Sequence, residues 1–165
     1  MKIKLSFQNK YLLIISTIIL ILSFVFLQSR MKKEEAVINL NNFDQIYKAD
    51  KTIRLVGEND RENGFKVDII DDAKKMEQGL MFINVMKPEN GLLFDFKNSQ
   101  NVSFWMKNTY IPLDIIFITE DNIISSISKN TQILNDKKTY TSIDKVRYVL
   151  EINAGLSDRL GIQIG

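Results

Sequence analysis

The chain contains neither cysteine nor histidine. Without cysteine there are no disulfides, iron–sulfur clusters, thiol nucleophiles or lipoprotein-type anchors. Without histidine, Ser-His-Asp catalysis, histidine-ligated zinc and imidazole general bases are excluded as well. Any chemistry must use carboxylates, lysine, tyrosine, serine, threonine, or hard metals bound by oxygen. Glycine and proline are sparse, at seven and two residues, and tryptophan occurs once. No glycine-rich phosphate loop, EF-hand loop or zinc spacing is present, so the sequence points to no cofactor and no metal.

Acidic residues are missing from the N-terminus. Lys2, Lys4, Lys10, Arg30, Lys32 and Lys33 all precede the first anion, Glu34. Between these cations lies an uncharged run, Tyr11–Leu27, broken only by Ser16, Thr17 and Ser23. As a helix it would cover about 26 Å, near the short end for a bilayer span. The flanking lysines keep residues 1–10 cytoplasmic by the positive-inside rule. A cleaved signal peptide shares this grammar but wants small residues at the end of the run, where Phe26-Leu27-Gln28-Ser29-Arg30 offers one. The expectation is an uncleaved signal anchor, with a cleaved peptide as the alternative. Both deliver the following domain outside the cytoplasm, attached to the membrane or released from it.

The net charge of +2 comes from the N-terminal segment. From Glu34 onward 16 cations face 20 anions, a net of −4. A mildly acidic exported domain lacks the basic face that nucleic acid requires, so no nucleic-acid partner is expected.

Residues 28–51 are polar and unpatterned, and read as a tether with limited local order. A folded domain is expected over 52–165, with strands at Thr52–Val56, Phe65–Ile70, Leu92–Phe96, Val102–Lys107, Leu113–Thr119, Ile123–Lys129 and Lys145–Ile152. The segment Gly57–Gly64 is turn-rich, and Glu120-Asp121-Asn122 suits a hairpin loop. Asp71 and Asp72 stand where a helix N-cap belongs, Ala73, Met76 and Leu80 follow at helical spacing, and Gly79 is placed to stop the helix. In KVRYVLEI, strict alternation sends Val146, Tyr148, Leu150 and Ile152 to the core, with Lys145, Arg147 and Glu151 outward. The fold class is therefore mainly β, a compact sandwich or barrel with one or two short helices, behind an N-terminal membrane helix.

The richest stretch is Phe104–Ile118, FWMKNTYIPLDIIFI. In an extended FWMKNT segment Trp105 and Lys107 share one face, Phe104 and Met106 the other. An indole beside an ammonium can form a ligand platform, or Trp105 can pack a second apolar layer while Lys107 snorkels to water. Asn108-Thr109 reads as a turn, and Pro112 as a strand start. Asp114 is a lone carboxylate in an apolar strand and must be paired, either as a clamp on that turn, through Lys107, Thr109 or a backbone amide, or as a catalytic group. Glu151 is either a solvated outward residue or a second carboxylate facing Asp114, which would allow acid/base or glycosidase chemistry. Asp95 is another solitary acid.

QGLMF (78–82), GLLFDF (91–96), FWMKNT (104–109), PLDIIFI (112–118) and RYVLEINAG (147–155) together resemble the DUF192 family (COG1430/UPF0127). The resemblance implies a small, mainly β domain, jelly-roll-like and frequently exported in bacteria, with no settled activity, substrate or cofactor. Carried over by position, its polar signature falls on Trp105, Lys107, Asn108, Thr109, Asp114 and Glu151, with Gly79 and Gly155 as backbone glycines. Where the family usually has arginine before and after the glycine of QGLMF, this chain has Met76 and Ile83, a loss of cationic character. Three readings follow. One is a membrane-tethered module binding a small polar ligand, glycan or envelope protein through Trp105, Lys107, Asn108, Thr109 and Asp114. The others are an envelope hydrolase with Asp114 and Glu151 as acid and base, and a purely structural interaction domain.

Overall fold

The computed structural model describes residues 7–40, 42–57 and 61–165, so the first six residues and part of the turn-rich Gly57–Gly64 segment lie outside the described residues. The chain divides into two compact units, residues 1–39 and 40–165.

The first unit is carried by one helix, α1, Phe7–Leu40. Its window Ile14–Lys32 is long and apolar enough to cross a membrane, and its large apolar side chains from Tyr11 to Leu27 are exposed where they are described. Two of the run's polar breaks are satisfied within the helix: the Thr17 hydroxyl donates to the Ile14 carbonyl and the Ser23 hydroxyl to the Leu20 carbonyl, each at 2.8 Å. Such back-bonding removes the cost of a hydroxyl in apolar surroundings.

The second unit contains α2 (Asn42–Ile46), β1 (Lys51–Val56), β2 (Glu62–Ile70), α3 (Ala73–Gln78), β3 (Asn90–Gln100), β4 (Ser103–Trp105), β5 (Leu113–Ile118), β6 (Ile124–Ser128), β7 (Thr139–Thr141), β8 (Val146–Asn153) and α4 (Leu156–Leu160). Six strands form one open mixed sheet in the order β1-β2-β3-β8-β5-β6, and β4 pairs β7 in a separate ribbon. The domain is mainly β, as expected. Its principal sheet is open where a sandwich or barrel of similar strands was expected.

The compact unit that holds the sheet starts at Leu40, and Phe43 and Tyr47 are buried in its core. Helices α1 and α2 run through most of the segment read as a tether with limited local order. The alternation NFDQIY was too short to register as a helix, and its two aromatics are held by tertiary packing.

Apolar side chains fill both faces of the sheet. One core joins Leu92, Phe94, Ile115, Phe117 and Val149 to Phe43, Tyr47, Leu80, Ile83, Met106 and Tyr140. The other joins Phe65, Val67, Leu93, Ile116, Leu150 and Ile152 to Leu156 and Ile162. β2 and β3 run parallel, so the chain needs a crossover, and residues 71–89 supply it across the first face. There Asp72 caps α3, accepting from the amides of Lys74 and Lys75, and Gly79 ends it at φ 46°. Leu80, Ile83 and Met86 then pin the crossover to the sheet. The ribbon β4–β7 lies over the same core through Val102, Met106 and Tyr140.

Candidate functional site

Between the crossover and the ribbon, the first face of the sheet is incompletely covered. A cavity of about 400 Å³ remains, within the usual range for small-molecule sites. Met76, Glu77, Gln78, Gly79, Leu80 and Met81 come from the crossover, and Val102 to Trp105 with Thr109 from the ribbon and its turn. The strands β3 and β8 contribute Phe94, Phe96 and Glu151.

The rings of the aromatic wall pack edge to face. Phe104 meets Phe94 edge-on with ring centroids 4.9 Å apart and Phe96 edge-on at 6.4 Å. Gly79 lies close to this wall, since a Cβ there would stand 3.6 Å from Phe94 Cζ. The crossover and the FWMKNT turn are joined directly, the Phe82 amide donating to the Asn108 carbonyl at 2.8 Å. A second tie comes from α2, where the Tyr47 hydroxyl donates to the Gly79 carbonyl. Burial, with the charges of Glu151 and Asp68 adding to it, pushes the Tyr47 hydroxyl up to about 12.

Glu151 is the unusual group. It sits on central strand β8 between Leu92 of β3 and Ile115 of β5, and only 4 % of the residue is exposed. Its Oε2 has no hydrogen-bond partner among the described residues. Burial pushes its carboxyl up to about 8, so the group is mostly neutral at pH 7. A buried polar atom left unpartnered costs roughly 1–3 kcal/mol, and a cavity beside it is where a partner can enter. Alternation had sent Glu151 outward. It points into a core because β8 is central and both faces of the sheet are covered.

Asp114 has a different role. The register pairs it with Ile152, whereas Glu151 pairs with Ile115, so the two carboxylates project from opposite faces of the sheet. An acid/base pair of Asp114 and Glu151 is thereby ruled out. Asp114 is fully buried and well partnered. Its Oδ1 accepts from the Asn130 amide at 3.0 Å. Its Oδ2 accepts from the Ser157 amide at 3.0 Å and the Ser157 hydroxyl at 2.7 Å. It is a clamp, but on the Asn130 turn and the start of α4 rather than on the Asn108 turn.

The other proposed site residues separate. Trp105 and Thr109 line the cavity. Lys107 does not; it is exposed, with Nζ 4.9 Å from the Trp105 ring centroid. Asn108 supplies the left-handed turn residue, φ 54°, and the Thr109 amide closes the turn on the Met106 carbonyl at 3.3 Å. Asp95 pairs with Arg147 and Lys97, both at 3.3 Å. Burial pushes its carboxyl up, but hydrogen bonds from the Lys97 amide, Arg147 and the Lys97 ammonium outweigh this and hold it below the usual range. Of the two positions that depart from the DUF192 pattern, Met76 lines the cavity and Ile83 is core. Phe94, Phe96 and Phe104 of the aromatic wall went unrecognised in the sequence because apolar residues in strands ordinarily signal packing. Among the described residues, no group of three or more acidic side chains is placed to hold a metal ion.

Residues 55–165 match the family described as DUF192, Uncharacterized ACR, COG1430. No curated protein matches the chain. Among solved structures, a candidate transcription regulator from Sinorhizobium meliloti 1021 is 40% identical with a TM-score of 0.67, over 69% of this chain and 88% of that one. A protein of unknown function from Novosphingobium aromaticivorans DSM 12444 is 32% identical with a TM-score of 0.66, over 69% of this chain and 80% of that one.

Proposed function

The chain belongs to the DUF192 family, and from that premise we propose that it is a membrane-tethered binding module whose site is the cavity between the crossover and the FWMKNT ribbon. The observation that carries this reading is Glu151: a buried, unpartnered carboxyl lining an aromatic cavity. Folding bears the cost of burying it, and a ligand that supplies the missing partner recovers part of that cost. Among the described lining residues the Ser103 hydroxyl is bonded to Thr141 and the Thr109 hydroxyl to the Lys107 carbonyl, neither of them a base, and Asp114 is spent on its clamp. Residues of QGLMF and FWMKNT both line the cavity, and the Phe82–Asn108 hydrogen bond joins the two motifs, which supports this reading.

In this reading α1 is an uncleaved signal anchor. Lys2, Lys4 and Lys10 hold the N-terminus in the cytoplasm, and the domain works on the far side of the membrane. Its ligand is a small molecule, a glycan fragment or a side chain of an envelope protein that fits about 400 Å³.

A thermal-shift screen of small amines, alcohols, acids and sugars against the full chain tests the reading. Some compound should raise Tm in the wild type and lose its effect in Met76→Trp, which fills the cavity. A screen with no response, or responses unchanged in Met76→Trp, would overturn it.

A further inference from the structure

We infer that the cavity takes an organic ammonium ion, the Glu151 carboxylate receiving the charged head and the rings of Phe94, Phe96, Phe104 and Trp105 enclosing the apolar body. This inference rests on the binding reading above and names its ligand class.

The lining decides among the classes. The charged side chains on the cavity are Glu77 and Glu151, and no lysine or arginine lines it among the described residues. An anionic ligand would meet two carboxyls and no compensating cation. The nearest lysine of the motif, Lys107, is engaged with the Trp105 ring outside the lining. A metal ion would find too few oxygen ligands. A neutral ligand would satisfy Oε2 and gain nothing from the charge. An ammonium satisfies Oε2, neutralises the carboxylate and is attracted by aromatic faces, the combination typical of organic-cation sites.

Protons make the inference testable. Without ligand the buried Glu151 holds its proton up to about pH 8. When an ammonium binds, it keeps its own protons, the Glu151 carboxyl loses one to water, and the buried charges cancel. Binding therefore releases close to one proton at pH 6 and strengthens about tenfold per pH unit until pH 8. A neutral hydrogen-bonding ligand behaves oppositely, weakening above pH 8. The neighbours of Glu151 do not confuse this profile. Its flanking residues Leu92 and Ile115 are apolar, Thr109 does not titrate, and the Tyr47 hydroxyl titrates near 12. Glu77 is exposed on the cavity rim.

The test is calorimetry on the full chain in detergent, at pH 6 and pH 8 and in two buffers of different ionisation heat. Probes are benzylammonium, benzyl alcohol, phenylacetate and a hexapeptide with one lysine. Benzylammonium or the peptide should bind roughly fiftyfold more tightly at pH 8 than at pH 6, with proton release at pH 6. A tighter peptide assigns the ammonium to a protein side chain and a tighter benzylammonium to a free amine; either sustains the inference. Glu151→Gln should abolish both pH dependence and proton release, and Met76→Trp should abolish binding. Lys107→Ala should leave ammonium affinity unchanged or raise it. Benzyl alcohol or phenylacetate binding without the ammonium probes overturns the inference and leaves the binding reading standing. No heat from any probe also overturns it, whereas the binding reading falls only with the wider thermal screen.

Discussion

Glu151 and Asp114 lie on neighbouring strands, both buried, yet their surroundings give them opposite characters. Asp114 receives three hydrogen bonds, two from Ser157 and one from the Asn130 amide. Removing it leaves buried donors unpaired, so Asp114→Ala should cost on the order of 3–5 kcal/mol in denaturant unfolding. Ligand response under conditions where the variant is folded should be unaffected. Glu151 has no such partners, and its folded-state carboxyl is raised from the ordinary 4.5 to about 8. Below pH 4.5 both folded and unfolded chains hold this proton and there is no effect. Between pH 4.5 and 8 the unfolded chain loses the proton while the folded chain keeps it, so stability falls with a slope of about 1.4 kcal/mol per pH unit from this group. Glu151→Gln removes that slope. The variant should gain stability over wild type as pH rises from 5 to 8, and equal curves across that range would refute the assignment.

At the scale of elements, the site is made by a crossover and a ribbon meeting over a central strand. Much of this was legible. Asp72 and Gly79 mark both ends of α3, Pro112 precedes β5, and Asn122, at φ 63°, turns the hairpin between β5 and β6. Strand order was not legible, because it depends on contacts distant in sequence. That order decides the chemistry: with β8 central, KVRYVLEI has two covered faces, and the alternation that sent Glu151 to solvent no longer applies. The same gap hid α2, whose five residues are too few for a periodicity signal but bring Phe43 into the core. Phe43→Ala should cost about 3–5 kcal/mol, whereas a tether residue would cost nothing measurable. Gly91 makes a comparable test in the sheet. A Cβ there would stand 3.0 Å from the Glu151 carbonyl oxygen, so Gly91→Ala must push β3 away from β8. A clear fall in Tm is expected, with a weakened ligand response because Glu151 shifts with its strand.

For the whole molecule, one apolar helix precedes a mainly β domain of the DUF192 family. As an uncleaved anchor, the full chain should sediment with membranes at its full mass, resist extraction by alkaline carbonate and expose its domain to protease from outside. A soluble, shortened product would instead mark cleavage after the apolar run. The carboxyl in the cavity is probed most directly by titrating the Glu151 side-chain ¹³C resonance in the full chain. The midpoint should lie near 8 without ligand and fall by about three pH units or more on saturation with an organic ammonium. A midpoint near the ordinary 4.5, unmoved by any ammonium probe, would contradict this.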